Sequence, residues 1–84
     1  MKRKGYEEGN FLDLVRAGAV RESKAARVTT RKGEQWAFYF RLGGPASDWH
    51  AIRSKREPVR TWAKLDTLAE FADKAGVRVF AVEQ

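Results

Sequence analysis

The sequence predicts a single small α+β domain, on three observations. Residues 65–76 place apolar side chains at helical spacing and end in glycine. Residues 27–42 are two β-forming runs around a Lys-Gly pair. The chain has only 84 residues, enough for one domain that buries roughly 60–65% of its unfolded surface.

The elements follow in chain order. Residues 1–9 hold three cations, two glycines, two glutamates and one tyrosine, and are expected to form a flexible basic arm ahead of a domain spanning 10–84. Asn10 is the expected cap of a short helix over Phe11–Ala17, with Asp13 near its positive end and Gly18 as its stop. Val28 and its neighbours, then Gln35–Leu42, predict a hairpin. With Lys32-Gly33 as the two-residue turn, Thr30 faces Gln35 and Val28 faces Ala37. The period of two puts Trp36, Phe38, Phe40 and Leu42 on one face and Ala37, Tyr39 and Arg41 on the other.

Gly43-Gly44-Pro45-Ala46-Ser47-Asp48 reads as a loop. A third strand is expected at Trp49–Ser54 and a short fourth at Val59–Trp62, completing an antiparallel meander of three to four strands. The second helix runs from Leu65 to Ala75, with Leu65, Leu68, Ala69, Phe71, Ala72 and Ala75 on one stripe. Asp66 suits its first turn and Lys74 its last. Val77–Val82 is apolar except for Arg78, which predicts a strand in the sheet interior or one covered by a dimer partner.

The chain carries net charge +6, unevenly placed: residues 1–64 carry +8 and residues 65–84 carry −2. A one-sided basic surface attracts polyanions. There is no cysteine, so disulfides and thiolate metal sites are excluded, and a cytoplasmic location is expected. No apolar run approaches the ~20 residues of a membrane span, and no apolar stretch follows the basic start, so neither membrane nor secretion is expected. A small chain without staples is often stabilised by pairing, so a homodimer is an expected state.

Catalytic patterns are weak. His50 stands alone, the serines lack a nucleophile elbow, and Gly43-Gly44-Pro45 lacks the spacing of a phosphate loop. Asp66, Glu70 and Asp73 share a helix face, a pattern ordinary on solvated helices. The sequence predicts a non-enzymatic protein without catalytic residues, metal or cofactor.

The basic segment is the stronger signal. Arg53, Lys55, Arg56, Arg60 and Lys64 fall within twelve residues that hold one acid, Glu57. Arg31 and Lys32 add cations at the hairpin tip, and Lys2, Arg3 and Lys4 add them in the arm. Such residues bind nucleic acid by displacing counterions from phosphates, with DNA favoured over RNA as the partner. The same charges also serve as a solvated edge that resists aggregation. For the aromatics, packing in the core and stacking on bases both fit the pattern; Tyr39, Trp49 and Trp62 are the expected interface residues.

The run Arg60–Phe71, followed by Gly76-Val77 and Phe80-Ala81-Val82, resembles the C-terminal half of small proteins encoded on bacterial plasmids and integrative elements, some labelled ParC-like and partition-associated. The resemblance covers residues 50–82. Where those proteins place a small polar residue at the helix cap, this chain has Lys64. The resemblance implies a plasmid-maintenance accessory protein that handles DNA or a DNA-bound, element-encoded partner. A protein-interaction module without nucleic-acid contact is the alternative.

Overall fold

The computed structural model describes residues 5–84 as a mixed sheet with two helices packed on one face. The elements are α1 (Glu8–Arg16), β1 (Glu22–Thr30), β2 (Gly33–Arg41), β3 (His50–Ala51), β4 (Thr61–Trp62), α2 (Leu65–Ala75) and β5 (Ala81–Glu83). This is the α+β class that the sequence predicts.

The alternation in β2 decides which face is core. Phe38 and Phe40 are fully buried beneath the helices, together with Phe11 of α1 and Leu68 and Ala72 of α2. The Phe11 ring lies 4.8 Å from that of Phe40 and 5.6 Å from that of Phe38. Phe71 joins them, 6.1 Å from Phe11 and 5.2 Å from Trp62. Edge-on, tilted and stacked aromatic contacts of this kind add about 0.5–1.5 kcal/mol per pair beyond area burial.

The helix stops behave as expected. Gly76 has φ +98°, and the Val77 N–H reaches back to the Ala72 carbonyl at 2.8 Å. A left-handed glycine lets the chain reverse and satisfies carbonyls left open at the helix end. The start of α1 corrects the sequence expectation. The helix begins at Glu8 behind Glu7, which makes no side-chain cap bond, and Asn10 lies inside its first turn.

The expected flexible arm also needs correction over residues 5–9. The Tyr6 N–H donates to the Ala51 carbonyl at 2.8 Å, and the Arg53 N–H donates to the Tyr6 carbonyl at 2.9 Å. Tyr6 thereby forms a parallel bridge with Ile52, and its ring packs 5.4 Å from Phe40. Local composition looked unstructured; long-range backbone pairing orders it.

The hairpin is present with its register shifted by two. Thr30 pairs with Gly33 and Val28 with Gln35, so the loop is Arg31-Lys32. Neither of these residues has positive φ; Gly33, at φ +99°, takes it just after the turn. Thr30 closes the loop, its Oγ1 accepting from the Lys32 N–H and donating to the Gly33 carbonyl, both at 3.0 Å. A slip of two leaves every side chain on its predicted face.

The meander is corrected at both ends. β3 pairs with β2 at Phe40 and Tyr39, and β4 pairs with the same edge of β2 at Ala37 and Trp36 rather than with β3. Both fall short of the expected strands, because residues 53–60 leave the edge and return. β5 runs parallel to β1 on the far edge, which makes the sheet mixed. It is an edge strand rather than an interior one: Val82 is 45% exposed, and Val79, two residues ahead of the strand, is 84% exposed. Among the described residues no helix is long and apolar enough to cross a membrane.

Two stability predictions follow from the packing. Leu68→Ala should cost about 2–5 kcal/mol through the cavity it leaves, against less than about 0.5 for exposed Asp66→Ala. Gly76→Val should cost roughly 1–2 kcal/mol for the left-handed backbone, and its Cβ would also crowd the Val15 Cγ1 at 3.3 Å. Urea midpoints for the three variants check both; a Gly76→Val midpoint equal to wild type would sink the helix-stop account.

Candidate nucleic-acid interface

The edge geometry builds the site. Continued along β2, the registers of β3 and β4 bring both Ile52 and Arg60 opposite Phe38. The Arg60 N–H donates to the Ile52 carbonyl at 2.7 Å and closes the base of the excursion between them. At its tip, the Ser54 N–H bonds the Glu57 carbonyl and the Glu57 N–H bonds the Ser54 Oγ, both at 3.0 Å. Lys55 and Arg56 are the two residues inside that closed turn. Both are exposed.

The hairpin tip does the same with Arg31 and Lys32. Since β4 lies beside the tip-proximal half of β2, the two turns come together. A cleft of about 590 Å³ between them is lined by Lys32, Lys55, Arg56 and Arg60 against one carboxylate, Glu57. A neighbouring cleft of about 600 Å³ holds Arg53, Lys55 and Arg60 but also Glu7 and Glu8. The first is the cationic one. Cations expected from two distant segments are therefore brought to one surface.

The cations are not equivalent. Arg60 bonds Glu8 at 3.3 Å and lies 4.5 Å over the Trp62 ring and 5.3 Å over Phe71. The Arg53 Nε donates to the Ser54 carbonyl at 3.2 Å. Among the described residues, the side chains of Arg31, Lys32, Lys55 and Arg56 have no ion-pair partner. Lys64 precedes α2, and its carbonyl accepts from the Thr67 hydroxyl at 2.9 Å. It is exposed and stands outside the cationic cleft. Lys2, Arg3 and Lys4 lie outside the described residues.

The expected interface residues separate. Trp62 is a correction: it is 7% exposed and part of the core, because β4 turns it toward α2. Trp49 is half-buried, held between Lys24 at 4.4 Å and Arg41 at 4.2 Å from its ring centre. Arg41 also bonds Glu22 and, at 2.7 Å, the Pro45 carbonyl. Tyr39 is half-buried on the sheet face opposite Phe38, and burial pushes its phenol pKa up.

A cleft of about 670 Å³ runs in front of Tyr39, with Val28, Pro58 and Val59 among its lining. Sequence reasoning did not single out these three; the alternation that placed Val28 beside Tyr39's face was the available signal. His50 packs 5.2 Å from Tyr6 and 5.8 Å from Phe40. Among the described residues no group of three or more His, Cys, Asp and Glu could hold a metal ion.

No protein-family model, no curated protein and no solved structure matches this chain.

The split among the cations is testable by stability alone. Arg60→Ser should lower stability by about 1–2 kcal/mol, since it loses ring contacts, stem packing and an ion pair together. Lys55→Ser and Arg56→Ser should stay within about 0.5 kcal/mol. Thermal melts monitored by circular dichroism check the ranking, and equal effects at all three positions would contradict it.

Proposed function

We propose that this chain is a non-enzymatic DNA-binding accessory protein that holds backbone phosphates in the cleft between its two cationic turns. The observation that carries this is the convergence of Lys32 with Lys55, Arg56 and Arg60 around a single acid. Four cations within one cleft raise the local potential far more than the same charges scattered over a surface. Arg31 extends the patch along the hairpin tip, and Arg53 extends it toward Glu7 and Glu8. DNA rather than RNA, and a role in plasmid maintenance, rest on the resemblance of residues 50–82 to mobile-element proteins.

The exposed β5 edge favours a second reading, a module that pairs with another chain. Val82 stands out from the edge strand and Val79 from the segment just ahead of it, and among the described residues no strand pairs with the outer side of β5. A second copy adding strand to strand would give the homodimer expected from size.

Binding should weaken steeply with salt. The triple variant Lys32→Ser, Lys55→Ser, Arg56→Ser should reduce the slope of log K against log salt by roughly two to three, since each phosphate contact contributes about 0.7–0.9. Its melting temperature should stay close to wild type. Fluorescence anisotropy from about 50 to 200 mM salt measures the slope. Silence toward every DNA probe at the low end, with a concentration-dependent dimer by sedimentation, would replace the first reading with the second.

A further inference from the structure

The cationic cleft does not stand alone. It shares Lys32, Glu57 and Thr61 with the cleft in front of Tyr39. That second cleft is chemically different. Val28 and Tyr39 rise from the outer face of the hairpin, and Pro58 and Val59 wall the other side from the base of the excursion. Its volume of about 670 Å³ falls within the range of small-molecule sites, about 300–1,000 Å³. Arg31 and Lys32 stand at its rim.

An apolar, aromatic-walled cleft sharing a wall with a cationic one fits a ligand that joins a flat apolar group to an anion. A nucleotide unit of an unpaired strand has that form. A duplex does not, because its base faces are covered by stacking and only base edges and the sugar-phosphate backbone are open to a protein. Every base has a π-face, so stacking on one tyrosine is tolerant of sequence. Glu57 is the one acid in both clefts; it turns phosphates away from its own wall and can accept a hydrogen bond from a base amino group.

We propose that the chain binds single-stranded nucleic acid, seating a base against Tyr39 among Val28, Pro58 and Val59 while Lys32, Lys55 and Arg56 hold the flanking phosphates. This rests on the phosphate-binding reading above and narrows it to a strand class. A tyrosine phenol is neutral near pH 7 in any case, and burial pushes its pKa further up, so the ring meets the base without an opposing charge.

The test compares four probes at one salt concentration: a 12-mer of thymidine, an abasic phosphodeoxyribose strand of equal length, a 12-base-pair duplex, and thymidine monophosphate. The 12-mer should bind about tenfold or more tighter than each of the others, since one base stack alone is worth that factor. Tyr39→Leu should weaken the 12-mer about tenfold and leave the abasic strand unchanged, while Tyr39→Phe should keep wild-type affinity. Val59→Ser, on a different segment, should repeat the loss and guards against misfolding at Tyr39.

Equal affinity for abasic strand and 12-mer, or tighter duplex binding, would overturn the base-seating proposal and leave the phosphate reading standing. A monophosphate that binds as tightly as the 12-mer would overturn the strand assignment in favour of a free nucleotide. An acidic peptide that binds when the 12-mer does not would overturn both readings, as would silence toward every probe and toward heparin.

Discussion

One backbone hydrogen bond, from the Arg60 N–H to the Ile52 carbonyl at 2.7 Å, organises the cationic edge of this protein. It makes β3 and β4 two halves of an interrupted edge strand on β2. The chain between them has nowhere to go but outward, and its tip is closed by Ser54 and Glu57. Tyr6 then pairs along the outer side of the same edge, leaving fewer open backbone groups for unwanted strand addition. At Gly5, φ is +81° and a Cβ would stand 2.7 Å from the Pro58 carbonyl oxygen, so the N-terminal segment touches the base of the excursion. Glycine is the one residue without a clash there.

The same constraint divides the basic residues into two kinds. Lys24, Arg27, Arg41 and Arg60 lie along strands or their ends, where each meets an aromatic ring and a carboxylate. These charges are compensated, and their stems cover apolar surface. Arg31, Lys32, Lys55 and Arg56 occupy turn centres, where side chains point to solvent and strand neighbours are out of reach. Their mutual repulsion costs stability in the free protein, and a bound polyanion would relieve it. The net charge of +6 thus contains a structural part and a part available to a ligand.

Legibility in the sequence followed the range of the interactions. α2 could be read to the residue, because its stripe, its charges and Gly76 are all local. β2's faces could be read because alternation survives a register slip of two. The start of α1 could not, since Asn10 is the better capping residue and tertiary contacts at Tyr6 and Phe11 set the boundary instead. The interior placement and length of β5 were misread because its apolar content suggested burial, whereas the turn after α2 leaves only Ala81–Glu83 to pair with β1 at the sheet edge. Trp62 was misread because a two-residue strand sets its direction. The cations were visible as a run; their meeting with the hairpin tip depends on β4 choosing β2 over β3.

The two faces of the sheet divide the work physically. On the inner face, Phe38 and Phe40 are locked among helix side chains at zero exposure, so the hairpin beneath the clefts is held rigidly. On the outer face, Ala26 and Ala37 form a register pair of small residues, and Ala37 is itself fully buried. Two methyl groups make a low floor between the taller side chains of Val28 and Tyr39. The rim cations sit on two turns, each tied by side-chain hydroxyl hydrogen bonds rather than left as free loops. Ordering a mobile loop on binding consumes part of the interaction energy, and turns already closed in the free protein avoid that cost. A domain of this size, with no cysteine for a disulfide, can therefore hold its cationic turns in place because the edge pairing on β2 braces them.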